Sequence, residues 1–405
     1  MTQSFFRAFK YSRNALIGTT IIGTGLSYYL TSNTTMASSN VSSSTSATYG
    51  PIPTNEIRPL SDGLLGSIGN TPLIHLKSLS EATGCRILVK AEHMNPGGSV
   101  KDRPAAMIIT EYEKEGKLVP RDKRKTNDNT VYTIVEGTGG NTGVGMSLIA
   151  AARGYKAIFT MPANVSQEKI DTARNFGAEV IVCPIVPFSD PQHYYHRAKE
   201  IAESTPGAVW GNQFEGLSNM KAHYLTTGPE VWYQSNKQVD GLVLAAGTGG
   251  TIAGMSRYLK EKNPKLAVYV IDPPGSSLAH YVETGKMESQ AGSTITEGIG
   301  IGRLTANFAS SAPIDGAFRG TDQEAVEMAY YLLRREGIFV GPSAALNVVG
   351  AVKLARKLGP GKTIVTVLCD NGDRYKSKMY QSTWLKEKGL VLTADYSRNN
   401  ADFVK

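Results

Sequence analysis

The stretch VYTIVEGTGGNTGVGMSLIAAARGYKAIFTM, residues 131–161, predicts a strand, a helix and a second strand in direct succession. Residues 131–136 and 156–161 are short apolar runs with β-branched and aromatic side chains, which is typical of buried strands. Residues 141–153 lie between them and predict a helix that contains several alanines. Two strands joined by a helix usually pair in parallel, so the stretch predicts an α/β fold.

The same alternation continues through the chain from about residue 60. Further strands are predicted at residues 86–92, 241–246, 267–271 and 363–368. Further helices are predicted at residues 167–176, 321–336 and 343–358, and from the Gly-rich turn at 247 to about residue 262. Thr321 and Glu324 have capping-box spacing, and Ser343 can cap the last helix. Repeated strand–helix units predict largely parallel sheets with helices on both faces, where ligands bind at the turns after the strands.

The composition excludes several classes of protein. A chain of 405 residues holds roughly two to three domains, and 41% hydrophobic with 19% charged residues excludes disorder over its whole length. Three cysteines without a C-x-x-C pair exclude a disulfide scaffold and a zinc ribbon. The six histidines contain no H-E-x-x-H motif, so no metal site is expected. The net charge of +8 comes without a long basic run, so nucleic acid is not expected as a partner.

The first 58 residues differ from the rest in composition. Residues 1–14 form a basic flank without acids, residues 15–32 are apolar and uncharged, and residues 33–58 form a Ser/Thr-rich linker. The apolar segment is a candidate transmembrane anchor or targeting segment. An anchor in the mitochondrial outer membrane, with the following domain in the cytosol, is the interpretation that fits this composition best. A cleaved presequence that directs the chain to the mitochondrial matrix stays open, and low cysteine content disfavours a secretory signal.

A Gly-rich turn between the strand at 241–246 and the following helix predicts a phosphate site. Its residues are Gly247, Thr248, Gly249, Gly250 and Thr251. Glycines let the backbone approach an anion, and the helix N-terminus offers unpaired N–H groups and a positive dipole end. The dinucleotide fingerprint G-x-G-x-x-G fails because residue 252 is Ile, and no P-loop lysine follows. A tight turn without a ligand is the alternative interpretation.

A second turn of this kind joins the strand at 131–136 to its helix. Its residues are Thr138, Gly139, Gly140, Asn141 and Thr142. Hydroxyls, an amide and a helix N-terminus together suit a carboxylate or a second anion. An ordinary capped turn would have the same sequence, so the pattern alone leaves both interpretations open.

Two single residues complete the pattern. Lys101 follows Gly97 and Gly98 after a strand, where a surface charge is unusual and a lysine of lowered pKa is placed to form a Schiff base. Ser343 opens a helix, where it either caps the helix or contacts a neutral ring nitrogen. The two turns and these two residues predict one ligand, a phosphorylated aldehyde held by a lysine beside a carboxylate-bearing substrate. That combination is the chemistry of pyridoxal 5'-phosphate.

The motifs also resemble a known family. They are the segments 69–73 (GNTPL), 95–103 (NPGGSVKDR), 138–143 (TGGNTG), 213–214 (QF), 226–230 (TTGPE), 247–251 (GTGGT) and 297–300 (EGIG). In this order they resemble the cysteine synthase and cystathionine β-synthase family, whose members are two-domain pyridoxal-phosphate enzymes of the tryptophan-synthase β-subunit type (fold type II). The resemblance covers about residues 60–382.

The resemblance implies how the chain after residue 58 divides into domains, and it implies an oligomeric state. The larger, cofactor-binding domain comprises residues 59–95 and 205–385, and the smaller domain that closes on the substrate comprises residues 96–204. Each domain is expected to be a mostly parallel sheet covered by helices, and residues 386–405 form a C-terminal tail. The resemblance also implies a homodimer.

The resemblance further implies a role for each candidate residue. Lys101 resembles the lysine that forms the Schiff base with the cofactor and then moves the α-proton of the substrate. The turn at 138–142 resembles the loop that binds the substrate carboxylate. Asn141 would also lie near the 3'-oxygen of the cofactor, and Gln213 on the other side of the carboxylate. The turn at 247–251 resembles the phosphate loop, and Ser343 resembles the residue that contacts the pyridine nitrogen.

The implied reaction is β-replacement on an activated serine, in which O-acetyl-L-serine and sulfide give L-cysteine and acetate. The neutral Ser343 favours β-elimination and replacement over transamination. Two departures leave the substrate open, because Gly139 stands where the family usually has Ser, and Ala344-Ala345 stand where Ser-Gly is common. The alternatives are β-elimination from serine, threonine or cysteine, cystathionine formation, and a catalytically weak paralogue with a cofactor-binding or scaffold role.

Overall fold

The computed structural model describes residues 63–288 and 290–405. In this part of the chain ten strands form two sheets. The strands are β1 (Leu73–His75), β2 (Arg86–Lys90), β3 (Thr133–Gly137), β4 (Lys156–Pro162), β5 (Glu179–Cys183), β6 (Ala208–Trp210), β7 (Gly241–Leu244), β8 (Ala267–Asp272), β9 (Gly316–Arg319) and β10 (Thr363–Val367).

Helices connect and cover these strands. Those of the described residues are α1 (Lys77–Thr83), α2 (Asp102–Lys114), α3 (Asn141–Arg153), α4 (Gln167–Asn175), α5 (Tyr194–Ser204), α6 (Ser218–Ala222), α7 (Gly228–Gln234), α8 (Gly250–Lys262), α9 (Leu278–Thr284), α10 (Ala306–Ala309), α11 (Asp322–Tyr331), α12 (Pro342–Leu358) and α13 (Ser382–Glu387). Two π-helical turns, His223–Thr227 and Leu332–Glu336, join α6 to α7 and extend α11. Short 3-10 segments lie at Leu65–Ser67, Glu92–Met94, Arg121–Lys123 and Gly372–Tyr375.

Both sheets are mostly parallel. The larger sheet has the strand order β1-β2-β10-β7-β8-β9, in which only the pairing of β1 with β2 is antiparallel. The smaller sheet has the order β5-β4-β3-β6 and is parallel throughout. The predicted α/β class, with mostly parallel sheets covered by helices, is confirmed.

Alternate residues of the central strands pack into two separate apolar layers. Ile87 and Val89 of β2 lie in one layer with α11 and α12, whereas Leu88 lies in the other with α8. Val243 and Leu244 of β7 divide between the layers in the same way, because successive side chains of a strand point to opposite faces. A strand buried on both faces is a continuous apolar run, which explains why these strands were visible in the sequence.

The ends of some helices agree with the sequence analysis, but the residue that caps α12 differs from the one considered there. The helix α3 has the predicted bounds, and Thr321 and Glu324 form the predicted capping box at the start of α11. Of the two interpretations left open for Ser343, the one in which it caps α12 is wrong. Gly341 is the N-cap and Pro342 is the first helical residue, so Ser343 lies inside the first turn. Proline suits the first helical position because it has no N–H group to leave unpaired.

Four strands of the described chain, β1, β5, β6 and β9, were not predicted. Each is only three to five residues long, and most of their residues are partly exposed. Because β6 pairs with β3, the smaller sheet extends beyond residue 204, where the smaller domain was expected to end. The segment 386–405 also packs on the core, with Ala401 and Val404 both 2% exposed. The domain division itself stays a prediction.

The predicted membrane segment lies outside the part of the chain that the structure describes, as do the basic flank and the whole linker. Within residues 63–288 and 290–405, no helix combines the length and the apolar character that crossing a bilayer requires. The interpretation of residues 15–32 therefore rests on composition alone.

Four buried charges form an ion-pair network at the start of α2. The guanidinium of Arg103 contacts both oxygens of Glu92 and both oxygens of Glu230, each at 2.7 Å. Lys90 adds a contact of 2.6 Å to Glu230, and none of the four side chains is more than 6% exposed. Burial alone would raise the pKa of Glu230, but Arg103 and Lys90 beside it bring that pKa below its ordinary value. Two positive and two negative charges therefore compensate one another in the interior.

Removal of Arg103 is expected to destabilise the fold strongly, because it leaves two buried carboxylates without their main partner. Arg103→Met should lower the free energy of unfolding by about 3–5 kcal/mol. The matched control is Arg319→Met, since Arg319 makes the same two-pronged contact with Glu283 on the surface. That exposed pair should contribute at most about 1 kcal/mol. Urea denaturation measures both, and equal losses would contradict the importance of the network.

Candidate active site

The predicted turns meet at one edge of the two sheets. In the larger sheet the neighbouring strands β2, β10 and β7 lead to Lys101, to the segment 369–374 and to the turn at 247–251. In the smaller sheet β3 leads to the turn at 138–142. These segments line one cavity of about 730 Å³. The predicted site residues on its wall are Lys101, Thr138, Gly139, Asn141, Thr142, Gln213, Gly247, Thr248 and Ser343. Four others adjoin the wall without forming it: Gly140, Gly249, Gly250 and Thr251.

Lys101 is placed for covalent chemistry. It directly precedes α2, and its backbone N–H donates to the hydroxyl of Ser99 at 3.2 Å. Its Nζ has no hydrogen-bond or ion-pair partner among the described residues. Burial lowers the pKa of Lys101, although Cys369 and Asp370 act in the opposite direction. A lowered pKa increases the fraction of unprotonated amine, which is the form that attacks an aldehyde.

The turn at 138–142 is joined to Gln213 by hydrogen bonds. The hydroxyl of Thr142 donates to Oε1 of Gln213 at 2.6 Å. Nε2 of Gln213 donates to the carbonyl of Gly137 at 3.0 Å and to Oε1 of Glu136 at 3.2 Å. These contacts bring both predicted sides of the carboxylate site together at the N-terminus of α3.

Glu136 lies under this site and is fully buried. Its second oxygen has no partner among the described residues. Burial raises the pKa of Glu136 to about 8, against the effect of the hydrogen bonds from Gln213. The side chain is therefore mostly uncharged at pH 7 and does not repel a carboxylate bound above it.

Gly139 and Gly140 differ in how much space they leave for a side chain. A Cβ at Gly139 would have the Cα of Gly298, 3.8 Å away, as its nearest neighbour, which is an ordinary contact. Gly140 has a φ of +116°, and a Cβ there would lie 2.5 Å from the side chain of Lys169. The structure therefore requires glycine at 140 but not at 139. The serine that the family usually has at 139 would fit, so its replacement here changes chemistry and not packing.

The turn at 247–251 has the geometry of an anion cradle. Gly249 has a φ of +84°, and a Cβ there would lie 2.7 Å from backbone atoms of Phe308, so the position requires glycine. The helix α8 begins directly afterwards and offers its first N–H groups and the positive end of its dipole. Asn219 holds Thr248 in place by donating from Nδ2 to its hydroxyl at 2.9 Å.

A neutral histidine supports the cradle from behind. Nε2 of His223 lies 3.2 Å from the hydroxyl of Thr251, and its Nδ1 lies 2.8 Å from the hydroxyl of Thr227. Burial lowers the pKa of His223 to about 3. Because this imidazole is uncharged at neutral pH, the attraction for an anion at this turn comes from the helix and its N–H groups.

Ser343 lies on the cavity wall and is 4% exposed. It is not the capping residue of α12, and its side chain hydrogen-bonds that of Cys369. Burial raises the pKa of the Cys369 thiol to about 11. Nδ2 of Asn347 donates to the sulfur of Cys369 at 3.3 Å. Uncharged groups therefore surround the position that the family resemblance gives to the pyridine nitrogen.

Several residues of the site were missed by the sequence analysis. The segment with Asp370 and Arg374 follows the parallel strand β10. Since ligands bind at the turns after such strands, its position after a predicted strand could have marked it as part of the site. Lys169 and Glu297 pair at 2.6 Å on the cavity wall, and no local pattern could have shown this because 128 residues separate them. Among the described residues no group of three or more His, Cys, Asp or Glu side chains is arranged to hold a metal ion.

The features of the cavity fit one cofactor. A lysine amine without a partner among the described residues, an anion cradle at a helix N-terminus and a serine hydroxyl on the cavity wall match the aldehyde, the phosphate and the ring nitrogen of pyridoxal phosphate. The fold and the site together therefore define a pyridoxal-phosphate-dependent enzyme.

Comparison with known proteins agrees. The family described as "Pyridoxal-phosphate dependent enzyme" matches residues 64–370, and the chain belongs to this family. A cysteine synthase of Dictyostelium discoideum is 48% identical over 85% of this chain and 90% of its own length. A putative mitochondrial cysteine synthase of Saccharomyces cerevisiae is 37% identical over 82% of this chain and 87% of its own length. The crystal structure of an O-acetylserine-dependent cystathionine β-synthase from Helicobacter pylori aligns with a TM-score of 0.70 at 33% identity, covering 80% of this chain and 100% of that one.

These findings confirm the predicted family, fold type, enzyme class and cofactor. The roles of the individual site residues stay predictions.

Lys101 is expected to carry the cofactor. Borohydride reduction of the holoenzyme, followed by peptide mapping, should place the pyridoxyl group on Lys101. The control is Lys169→Met, because Lys169 also lines the cavity but its ammonium is paired with Glu297. This variant should still carry the adduct on Lys101. An adduct on another lysine, or an unchanged cofactor absorption band in Lys101→Ala, would contradict the assignment.

Proposed function

We propose that the protein is a cysteine synthase that converts O-acetyl-L-serine and sulfide into L-cysteine and acetate. The observation that carries the proposal is the convergence of the Lys101 amine, the turn at 138–142 and the turn at 247–251 on one cavity. The 48% identity to a protein named cysteine synthase supports the same activity. The reaction belongs to cysteine biosynthesis and needs only an amino acid and sulfide as partners, and we propose that the enzyme acts as a homodimer.

Lys101 is proposed as the base of the reaction. Bound pyridoxal phosphate withdraws electrons from the Cα of an attached amino acid and makes the Cα proton acidic. Nζ of Lys101, which would hold the aldehyde of the cofactor, would then be the group placed to take that proton. Because burial lowers the pKa of Lys101, a larger fraction of the amine is unprotonated and able to act as a base.

The turn at 138–142 and Gln213 are proposed to orient the substrate. The N-terminus of α3 offers its first N–H groups to a carboxylate. The hydroxyl of Thr142 and the amide of Gln213 lie beside them and would exchange their present hydrogen bonds for the carboxylate. The uncharged Glu136 beneath them adds no repulsion. A carboxylate fixed at this place leaves only the Cα–H bond and the β-substituent to be oriented for reaction.

Ser343 is proposed to determine the type of reaction. It presents a hydroxyl and not a carboxylate to the ring nitrogen, so it does not hold that nitrogen protonated. A weaker electron sink favours loss and replacement of the β-substituent over transamination. The uncharged thiol of Cys369 beside Ser343 is consistent with such an environment.

Cystathionine formation is a second candidate because the cavity extends beyond the residues proposed for the cofactor. Trp384 and Leu390, near the C-terminus, and Lys378 also line it. A cavity of about 730 Å³ leaves room for a thiol larger than sulfide. The solved relative named an O-acetylserine-dependent cystathionine β-synthase supports this candidate.

We propose a mitochondrial location, with residues 15–32 as an anchor in the outer membrane. The basic flank, the uncharged apolar run and the Ser/Thr-rich linker support the anchor, and the relative named a putative mitochondrial cysteine synthase supports the organelle. A cleaved presequence with a matrix enzyme is the alternative.

Cysteine synthesis and cystathionine formation differ in the nucleophile, which is sulfide in the first reaction and homocysteine in the second. The holoenzyme supplied with O-acetyl-L-serine should release acetate and form L-cysteine with sulfide faster than it forms cystathionine with homocysteine at equal concentration. Chromatographic analysis of the products measures both, and Lys101→Ala serves as the inactive control. Faster cystathionine formation would favour the second candidate. Pyruvate without either product would show β-elimination, and no turnover of any kind would support the weak paralogue.

Location is tested on isolated mitochondria. If residues 15–32 anchor the chain, carbonate extraction should leave the full-length protein in the membrane pellet, because an apolar helix partitions into the bilayer. Protease added to intact mitochondria should destroy the enzyme domain. A shortened, carbonate-soluble and protease-protected chain would instead show that the first residues are an import signal.

A further inference from the structure

The side-chain amide of Asn141 can adopt only one orientation. Its Oδ1 accepts a hydrogen bond from the guanidinium of Arg374, and its Nδ2 donates to Oδ2 of Asp370 at 2.8 Å. The orientation of an asparagine amide is often ambiguous because its O and N atoms look alike. Here a guanidinium can only donate, so the oxygen must face Arg374 and the nitrogen must face Asp370.

The partners of Asp370 make it an acceptor. The hydroxyl of Tyr375 donates to the same Oδ2 at 2.7 Å, and Nζ of Lys169 donates to that hydroxyl at 3.0 Å. Burial raises the pKa of Tyr375 well above its ordinary value, so the phenol keeps its proton. Every hydrogen bond from Lys169 through Tyr375 to Asp370 therefore has a fixed direction, and Asp370 has only acceptor capacity to offer Asn141.

Arg374 connects Asn141 to the turn that carries the candidate Schiff-base lysine. Besides Asn141, its guanidinium donates to the carbonyl of Gly97, four residues before Lys101. Arg374 is 8% exposed and Asp370 is fully buried, so water offers little replacement for either contact. One arginine thus links the turn after β2 in the larger sheet to the turn after β3 in the smaller one.

We propose that Arg374 and Asp370 are positioning residues that turn the amide of Asn141 so that its second Nδ2 hydrogen serves as a donor to the 3'-oxygen of the cofactor. Asn141 lines the cavity with Lys101, and this hydrogen is its only side-chain donor without a partner among the described residues. If Arg374 were lost, Oδ1 would have no donor and only the contact with Asp370 would hold the amide. The amide could then tilt about that single contact and move its second Nδ2 hydrogen away from the 3'-oxygen. The inference rests on the proposed role of Asn141.

A double-mutant cycle with the full-length chain tests the proposal. Arg374→Met and Asn141→Ala should each weaken the binding of pyridoxal phosphate by about tenfold, which corresponds to one hydrogen bond to a charged group. Each should also shift the absorption band of the bound cofactor. The double variant should bind within about twofold of Asn141→Ala, because Arg374 acts through Asn141. Titration of the cofactor-depleted protein with pyridoxal phosphate measures the affinity, and the spectrum measures the environment of the 3'-oxygen.

Two further variants control for folding. Arg356→Met removes an arginine in the last turn of α12 that donates to the carbonyls of Ala401 and Val404. None of these residues lines the cavity, so the affinity and spectrum should not change. Arg374→Lys keeps the charge and one donor, and should give an intermediate affinity even if Arg374→Met does not fold. Additive losses in the double variant, or an unchanged spectrum in Arg374→Lys and Arg374→Met, would overturn the positioning role. Unchanged binding and spectrum in Asn141→Ala alone would overturn both that role and the assignment of Asn141, without bearing on the synthase reaction itself.

Discussion

The contact of Arg103 with Glu92 and Glu230 is the constraint on which the site depends. Arg103 stands two residues after Lys101, in the first turn of α2, while its carboxylate partners come from the segment after β2 and from α7. A guanidinium bound to two carboxylates has little freedom to move, and their burial makes any other arrangement costly. The chain between β2 and α2 is thereby fixed at both ends. The position of Lys101 thus follows from interior charges that never contact the ligand.

Three ionisable groups beside the proposed ligand positions are uncharged at neutral pH. Burial raises the pKa of Glu136 to about 8 and that of the Cys369 thiol to about 11, and lowers the pKa of His223 to about 3. Near pH 7 Glu136 and the Cys369 thiol are therefore mostly protonated, and the imidazole of His223 has lost its proton. These three groups place no charge of their own beside the proposed phosphate, carboxylate and ring-nitrogen positions. Helix N-termini and amide groups would hold the charges of the ligands there, and such dipoles are fixed in direction before the ligand arrives.

Sequence patterns predicted those parts of the fold whose signal is local. The buried strands β2, β3 and β7 are mainly apolar runs. The turns that follow them are recognisable in the sequence by their glycine and hydroxyl residues. Short strands such as β6 are set by their neighbours in the sheet and carry no such signal. The pattern left Ser343 as either a helix cap or a ligand contact, and only the position of the helix start, at Pro342, excludes the cap. The pairing of Asn141 with Asp370 joins residues 229 positions apart, which no local pattern contains.

The ion pair between Lys169 and Glu297 has a consequence for the movement of α4. Lys169 lies on α4, which packs against the smaller sheet, and Glu297 lies on the chain between α9 and α10, where Lys378 also holds it. All three side chains line the cavity. Because the Lys169–Glu297 pair is at most 14% exposed, dissolved salt screens it only weakly. Any movement of α4 away from the segment that carries Glu297 therefore has to break this ion pair, at low and at high ionic strength alike.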